Sequence, residues 1–336
     1  MLLIRHPAHA RAGLIGNPSD GYQGKTLALI VRDFAARVTL YEWDEIEVVW
    51  SHDDRSRFRS VDALVQDVRL HGYYGGIRLV KATIKRFVEY CHNHGLKLHD
   101  QNFSVRYESD IPRQVGLAGS SGIIVATLRC LMEFYGVDIP RRVQPSLVLA
   151  IENEELGITA GLQDRVIQVY EGLVYMDFSP QATECVQGFA CGSYEPLDPT
   201  LLPPIYIAYS TDVSEPTEVI HNNLRGRFNQ GERAVVDAMR RFADLTVEAR
   251  EALIEGDHRR LGRLIDANFD LRRSICRLPP GQEQMVDVAR RCGATAKFAG
   301  SGGAIVGTYP DDAAYANLRN ELGEIGCRVL RPTVAG

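Results

Sequence analysis

The chain has 336 residues, of which 45% are hydrophobic and 24% charged, and its formal net charge is −5 at pH 7. These average values exclude disordered, collagen-like and coiled-coil chains, and the length suggests about two domains. The negative charge argues against nucleic acid or an anionic membrane as the main partner. Apolar runs stay shorter than the ~18 residues of a membrane helix, and the N-terminus lacks the features of a signal peptide. We therefore expect a cytoplasmic location.

Seven cysteines are scattered along the sequence, and none belongs to a CxxC pair. An odd number of cysteines without CxxC spacing suggests neither a disulfide framework nor a zinc ribbon. The pattern therefore predicts free thiols in a reducing compartment.

The first 200 residues mix strand and helix patterns, and we assign residues 1–200 to an N-terminal domain. Alternating or β-branched apolar residues predict strands, and apolar residues three to four positions apart predict helices. The predicted strands are residues 12–15, 27–41, 46–50, 103–107 and 172–178. The predicted helices are two between residues 60 and 91, on either side of GYYGG at 72–76, one at 123–135 and one at 145–156.

The pattern changes after residue 200, so we assign residues 201–336 to a second domain. A strand at 205–209 precedes a helical stretch between residues 225 and 291. The tail predicts a small α+β unit. Its elements are two strands within 296–308, a helix at 311–322 and a strand at 328–334.

A glycine-rich loop at residues 116–122 (GLAGSSG) stands directly before an apolar helix. Glycines allow backbone N–H groups to turn toward an anion, and a helix N-terminus adds unpaired donors and a favourable dipole. The loop therefore predicts a phosphate-binding site, in which Ser120 and Ser121 cap the helix or offer a hydroxyl to magnesium. The plain alternative is a serine N-cap after a turn.

An earlier GKT at residues 24–26 nearly matches the nucleotide-binding pattern GxxxxGK[ST]. The first glycine of that pattern would fall on Ser19, and the segment that follows is strand-like, whereas a P-loop opens a helix. We therefore expect no P-loop at this position.

Separated carboxylates mark residues 152–164 (ENEELGITAGLQD). Phosphoryl transfer requires magnesium on the phosphate oxygens and a carboxylate beside the acceptor hydroxyl, and Glu152 and Asp164 suit these tasks. The alternatives are a solvated helix face for Glu152 and an N-cap for Asp164. A third glycine-rich segment, residues 297–303 (KFAGSGG), would by itself be a hairpin turn.

In their order along the chain, these motifs resemble those of the GHMP kinases. Residues 9–20 (HARAGLIGNPSD) resemble the first, substrate-side motif, residues 112–121 (PRQVGLAGSS) the second, phosphate-binding motif, and residues 297–303 the third. The resemblance covers nearly the whole chain. It implies an α+β, two-domain GHMP kinase fold with a ribosomal protein S5 domain 2-like N-terminal domain and a ferredoxin-like C-terminal domain. The active site would lie between them.

The resemblance also implies an enzyme that uses ATP and Mg²⁺. Asp164 would be the catalytic carboxylate, and Arg11 would keep it ionised and stabilise the transferred phosphoryl group. Glu152 would hold magnesium together with Ser120 or Ser121. The nucleotide phosphates would contact the second motif, which consists of Gly116, Leu117, Ala118, Gly119, Ser120, Ser121 and Gly122.

On the substrate side, the resemblance assigns sugar contacts to Asp20, Asn17, Arg272 and Gly302. Galactokinases have glutamate where this chain has Asn17, which points away from galactose. The second motif has Gly-Leu-Ala-Gly instead of Gly-Leu-Gly, and this difference leaves open which serine binds magnesium.

Four further stretches, residues 16–20, 161–166, 172–178 and 268–273, resemble a branch of the family that acts on a uronic acid. This branch implies transfer of the γ-phosphate to the anomeric hydroxyl of D-glucuronate, which gives glucuronate 1-phosphate. A carboxylate favours an arginine fork, and the candidates are Arg113, Arg165, Arg272 and Arg273.

Two alternatives remain open. Within the family, the chain would be a heptose-type or other sugar 1-kinase, and from another class it would be a noncatalytic sugar or nucleotide sensor built on a kinase fold. In each case we expect a monomer or homodimer whose partner is a small-molecule sugar or sugar acid.

Overall fold

The protein is described by a computed structural model that covers residues 2–51, 54–71, 77–211 and 218–335. The GYYGG interruption at 72–76 lies outside these residues. The described strands are β1 (Leu3–Ile15), β2 (Lys25–Trp43), β3 (Ile46–Ser51), β4 (Asp54–Phe58), β5 (Asn102–Ser109), β6 (Leu173–Asp177), β7 (Glu184–Val186), β8 (Phe189–Cys191), β9 (Ser193–Leu197), β10 (Ile205–Ser210), β11 (Lys297–Phe298), β12 (Ala304–Thr308) and β13 (Cys327–Leu330).

Ten α-helices are assigned within the described residues. They are α1 (Val61–His71), α2 (Arg78–Asn93), α3 (Gly119–Tyr135), α4 (Gln144–Ala150), α5 (Gln163–Tyr170), α6 (Glu218–Asn229), α7 (Arg233–Glu255), α8 (His258–Ile275), α9 (Pro280–Arg291) and α10 (Asp312–Glu324). None of these helices is long and apolar enough to cross a membrane.

A seven-stranded sheet forms the first part of the chain, and the long strand β2 is its centre. The strands follow the order β4-β3-β5-β2-β6-β9, and β1 also pairs with β2. β1 follows β2 along nearly its whole length, whereas β6 pairs with residues 25–29 and β5 with residues 36–43. Since β2 starts at Lys25, directly after the glycine of the GKT sequence, the expected absence of a P-loop helix is confirmed.

A second, four-stranded antiparallel sheet has the order β11-β12-β10-β13. Because side chains alternate between the two faces of a strand, β10 contributes residues to two hydrophobic cores. Tyr206 and Ala208 pack with apolar residues of α9 and α10, while Ile205 and Ile207 belong to the large core shared with the first sheet. The two sheets are thus joined by continuous apolar packing, and helices pack together with strands in the α+β arrangement that the sequence predicts.

The predicted elements are recovered with shifted ends. β1 begins at Leu3, well before the predicted residue 12, and α3 begins at Gly119. The helix predicted at 145–156 changes after Ala150 into a π-helical turn, Ile151–Glu155. The short strands β4, β7, β8 and β9 were not predicted. All seven cysteines are free thiols, and four of them are buried, namely Cys91, Cys130, Cys191 and Cys327.

Candidate active site

The three glycine-containing motifs meet at one place, although they lie far apart in the sequence. The backbone N–H of Arg11 in β1 donates to Leu117 O at 3.3 Å, and the N–H of Gly13 donates to Ala299 O at 2.7 Å. β1 therefore lies between the second motif and the third. This arrangement brings residues 116–122 and 297–303 to the same end of the first sheet.

Gly116 is required where the second and third motifs touch. Its φ of +72° is in the left-handed region, which L side chains rarely adopt. A Cβ at this position would lie 2.9 Å from the backbone N of Ser301 and 2.9 Å from the carbonyl oxygen of Gly302. Both neighbours are backbone atoms, so the contact has no flexible side chain that could move aside.

Arg11 and Asp164 form a bidentate ion pair beside this junction. Arg11 Nε donates to Asp164 Oδ1 at 2.5 Å, and Nη2 donates to Oδ2 at 2.7 Å. Arg11 Nη1 donates to the carbonyl oxygens of Gly116 at 2.5 Å and Ala299 at 3.3 Å. One guanidinium thus connects the acid to both glycine-rich loops.

Asp164 lies in the first turn of α5, but it does not cap the helix. The N-cap position belongs to Leu162, and the side chain of Asp164 points to Arg11, so the N-cap alternative is wrong. Burial alone would raise the pKa of Asp164, but the charges of Arg11 and Arg165 and the hydrogen bonds from Arg11 outweigh it and lower the pKa. The carboxylate therefore stays ionised at neutral pH.

Glu152 forms a second buried ion pair, with Arg165. Arg165 Nε donates to Glu152 Oε2 at 2.5 Å, and Nη2 donates to the same oxygen. Glu152 is only 1% exposed, so its alternative as a solvated helix face is wrong. Arg165 Nη1 also lies 3.3 Å from Asp164 Oδ2, and this contact connects the two ion pairs.

The N-terminus of α3 has the features of an anion site. Its N-cap is Ala118 in the left-handed conformation, and no described side chain caps it. The serine N-cap alternative is therefore wrong, since Ser120 and Ser121 lie inside the first turn. Because the first N–H groups of a helix have no intrahelical acceptor, they remain available to a phosphate group. Ser120 is exposed, whereas Ser121 is buried and its hydroxyl donates to Ala118 O at 3.3 Å.

The predicted magnesium ligands are oxygen atoms of the kind that Mg²⁺ prefers. Both bonds from Arg165 reach Oε2 of Glu152, so Oε1 carries no hydrogen bond from the described residues. Nowhere in the described part of the chain do three or more His, Cys, Asp or Glu side chains converge as a metal cage. Since Mg²⁺ at phosphotransfer sites is held by one or two carboxylates together with phosphate oxygens, Glu152 and a serine hydroxyl fit the ion.

Asp20, the last residue of the first motif, lies beside Asp164. Its Oδ2 accepts a hydrogen bond from the backbone N–H of Gln163 at 3.2 Å, next to Asp164. Burial, followed by the charge of Asp164, raises the pKa of Asp20 to about 6. Gly161 is needed for this approach, because a Cβ there would lie 2.0 Å from Asp20 Oδ2.

Helix α8 fixes the loop after β1. Asn268 Oδ1 accepts from the N–H of Gly16 at 2.7 Å, and Asn268 Nδ2 donates to Asn17 O at 3.4 Å. The side chain of Asn17 is buried, and its Nδ2 lies 3.5 Å from Gly300 O. Its Oδ1 is buried without a hydrogen-bond partner in the described structure, so it can accept a bond from a bound hydroxyl.

Arg272 and Lys297 hold the third motif in place. Arg272 Nη1 donates to Gly300 O at 2.8 Å, and Nη2 donates to Ser301 O at 3.0 Å. Lys297 is 1% exposed, and its Nζ donates to Gly13 O at 2.5 Å and Phe298 O at 2.7 Å. Burial, with the charges of Arg272 and Arg11, lowers the pKa of Lys297.

Hydrogen bonds and ion pairs thus connect Arg11 to Gly116 and Asp164, and they connect Asp164 through Arg165 to Glu152. Gly302 packs against Gly116 and beside Gln282. Of the four candidate arginines, Arg165 and Arg272 already bind protein groups, Arg113 is exposed, and Arg273 lies 3.7 Å from Asp270.

Sequence reasoning missed Lys297 and Asn268 as parts of the site. Both residues lie inside stretches that resemble family motifs. For Lys297 the available signal was a charged residue among the apolar residues of a predicted strand. Nothing in the sequence pairs Arg165 with Glu152, because the π-helical turn and a loop separate them.

Comparisons with known proteins agree with this geometry. Residues 78–172 match the family described as GHMP kinases N terminal domain, and residues 249–326 match the family described as GHMP kinases C terminal. The chain is 43% identical over 326 residues to Glucuronokinase 1 of Arabidopsis thaliana, covering 95% of this chain and 88% of that protein. It is also 43% identical over 328 residues to Probable glucuronokinase 2 of the same plant, with the same coverage.

A solved structure shows the same fold at low sequence identity. The galactokinase of Lactococcus lactis, in complex with galactose, superposes with a TM-score of 0.82 and 16% identity, covering 99% of this chain and 93% of that chain. With the family matches in both halves and relatives that align over nearly the whole length, the protein belongs to the GHMP kinase family.

Proposed function

We propose that this chain is an ATP-dependent sugar kinase that transfers the γ-phosphate to the anomeric hydroxyl of D-glucuronate. The observation that carries the proposal is the Arg11–Asp164 ion pair. Arg11 also donates to Gly116 O, and this bond connects the ion pair to the glycine-rich loop at residues 116–122. The substrate is taken from the Arabidopsis relatives, whose names are those of glucuronokinases. We place the enzyme in the cytoplasm, because its cysteines are free thiols, the usual state in a reducing compartment.

The phosphate chain of ATP binds at the N-terminus of α3 in this proposal. Uncapped N–H groups of residues 119–121 and the dipole of α3 favour an anion. Glu152 and either Ser120 or Ser121 would hold Mg²⁺, which would supply positive charge for the phosphate oxygens. Arg11 adds a fixed positive charge where negative charge develops during transfer.

Asp164 orients the anomeric hydroxyl and accepts its proton at a carboxylate oxygen. A carboxylate has about four acceptor positions on its two oxygens, so hydrogen bonds from Arg11 leave capacity for the hydroxyl. The lowered pKa makes Asp164 a weak base. This weakness suits phosphoryl transfer through a loose transition state, in which the nucleophile needs orientation more than early deprotonation.

The sugar would lie against the first motif. Asp20 accepts hydrogen bonds from sugar hydroxyls when it is ionised, and Asn17 Oδ1 is an unoccupied acceptor nearby. Arg272 supports this surface through the carbonyl oxygens of the third motif.

A substrate panel tests the proposal. Purified protein is incubated with ATP, Mg²⁺ and, in separate reactions, D-glucuronate, D-galacturonate, D-glucose, D-galactose and a heptose, and products are identified by ³¹P NMR. We expect ADP formation with D-glucuronate and a phosphate signal on the anomeric position. Turnover of neutral sugars without the uronates would contradict the substrate, and binding without turnover of any sugar would support a sensor.

A further inference from the structure

Arg225 in α6 is an arginine near the sugar motif that the candidate set did not contain. We propose that Arg225 binds the carboxylate of the sugar acid and makes the enzyme select uronic acids over neutral sugars. The inference rests on the proposed function and assigns the residue that distinguishes its substrate.

Packing of α6 fixes the position of Arg225. Leu224, which precedes it, is buried in a cluster with residues of α7, and the ring of Phe228 lies 4.7 Å from the ring of Tyr22. These contacts hold α6 against the loop between β1 and β2. Arg225 therefore lies over the first motif, in a position that the packing of Leu224 and Phe228 sets.

The guanidinium of Arg225 lies directly on the backbone next to Asp20. Its Cζ is 4.2 Å from the centre of the Tyr22 ring, and a Cβ at Gly21 would lie 2.9 Å from Nη2. Glycine at position 21 thus leaves the space in which the guanidinium sits. An aromatic ring attracts the cation through its face and does not neutralise it, so the N–H groups remain able to form a fork with a carboxylate.

No acidic side chain of the described residues forms an ion pair with the half-buried Arg225, and in this it differs from its neighbours. Arg227, two positions along, is held by both oxygens of Glu232 at 2.7 Å. Arg165 binds Glu152, and Arg272 binds carbonyl oxygens of the third motif. Among the described residues, Arg225 is therefore a cation on the sugar side of the site without an acidic partner.

A short series of contacts connects Arg225 to the reacting end of the site. Asp164 follows Gln163, whose N–H donates to Asp20, and Gly21 is the point of contact with Arg225. In a uronic acid the anomeric hydroxyl and the carboxyl group are on the two carbons that flank the ring oxygen. A cation for the carboxylate must then lie close to the catalytic acid, and Arg225 satisfies this condition.

The test compares a charged sugar with its neutral isostere. In the Arg225→Gln variant we expect kcat/KM for D-glucuronate to fall by roughly 10- to 100-fold, mainly through KM, which corresponds to a lost charged hydrogen-bond pair. The kcat/KM for D-glucuronamide, which has the same shape without the charge, should change little. Arg225→Lys should recover part of the loss, because it keeps the charge without the fork.

The matched control is Arg233→Gln, at an arginine of α7 whose side chain is 95% exposed. It should behave as the wild type with both sugars. An equal loss with both sugars in Arg225→Gln would make Arg225 a structural residue and overturn the inference. No loss, together with a selective loss in Arg113→Gln, would assign the carboxylate to Arg113 and also overturn it. A wild-type enzyme that fails on D-glucuronate would instead overturn the proposed function, and this inference with it.

Discussion

Arg11 holds Asp164 by two parallel hydrogen bonds, although the two residues are 153 positions apart in the sequence. The fork occupies one edge of each carboxylate oxygen and fixes the plane of the carboxyl group. Since the same guanidinium also binds Gly116 O, the orientation of the acid is set relative to the phosphate loop. A positional error at one of these groups is thus transmitted to the other two.

Replacing Asp164 by asparagine removes the charge and keeps the shape. We expect Asp164→Asn to fold normally and to lose at least ~10²-fold in kcat, the order found when one electrostatic catalytic group is removed. Steady-state ADP release measures the loss, and a thermal melt checks the fold. Activity within a few-fold of the wild type would remove Asp164 from the catalytic role.

Gly116→Ala should damage the junction between the second and third motifs. The added Cβ would meet backbone atoms of Ser301 and Gly302 at 2.9 Å, and the residue would also be strained at φ +72°. We expect a large rise in KM for ATP, measured at saturating sugar.

Gly136→Ala is the matched control for this variant. Gly136 follows the same helix, α3, and has φ +62°, but a Cβ there would have nothing within 4 Å. It should lower stability by about 1 kcal/mol for the strained φ and leave the KM for ATP unchanged. Equal effects of both substitutions on ATP binding would show that strain alone is responsible.

The raised pKa of Asp20 makes stability depend on pH. The unfolded chain releases this proton at about pH 4, whereas the folded protein holds it up to about pH 6. The folded state binds the proton more tightly in this window, so the contribution of Asp20 to stability falls as the pH rises from about 4 to about 6.

Asp20→Asn should therefore be more stable than the wild type at pH 7.5, and this difference should shrink toward pH 4.5. Urea unfolding at both pH values measures the free energy of unfolding of each protein. Subtracting one from the other removes the pH dependence that the two proteins share through their other carboxylates. We also expect a higher KM for the sugar. Parallel stability curves for the two proteins would contradict the raised pKa.

Two variants separate the effect of the Glu152–Arg165 pair on stability from the proposed role of Glu152 in binding magnesium. Arg165→Met leaves Glu152 buried without its partner, so we expect a loss of about 3–5 kcal/mol in the free energy of unfolding. The double variant Glu152→Met with Arg165→Met should recover much of this stability, because neither buried charge remains. It should stay inactive even at high Mg²⁺. A stable and active double variant would show that Glu152 is not a magnesium ligand.

Much of the fold could be predicted because its elements carry strong local patterns. β2 and α3 are long, and their apolar and β-branched runs identified them. The short strands β7, β8 and β9 have three to five residues each, too few for a periodic signal. The helix N-cap at Ala118 was missed because no sequence pattern marks an alanine in the left-handed conformation, whereas serine, as at Ser120 and Ser121, is a favoured N-cap residue.

Only those site residues that lie inside recognisable motifs could be predicted from the sequence. Arg11 and Asp164 lie inside marked segments, so the resemblance named both. Arg225 lies on a helix with no motif, and its contact with Gly21 depends on how α6 packs against Tyr22 and α7. Contacts of this kind are set by tertiary packing, which single-sequence patterns do not encode.

The hydrogen bonds from Gly13 to Ala299 and from Lys297 to Gly13 join β1 to a segment that lies 284 positions or more further along the sequence. Until residues 297–303 dock on β1, the N–H of Gly13 lacks its acceptor and Arg11 Nη1 lacks one of its two carbonyl acceptors. The final geometry around Arg11 therefore forms only when the second sheet has docked onto the first.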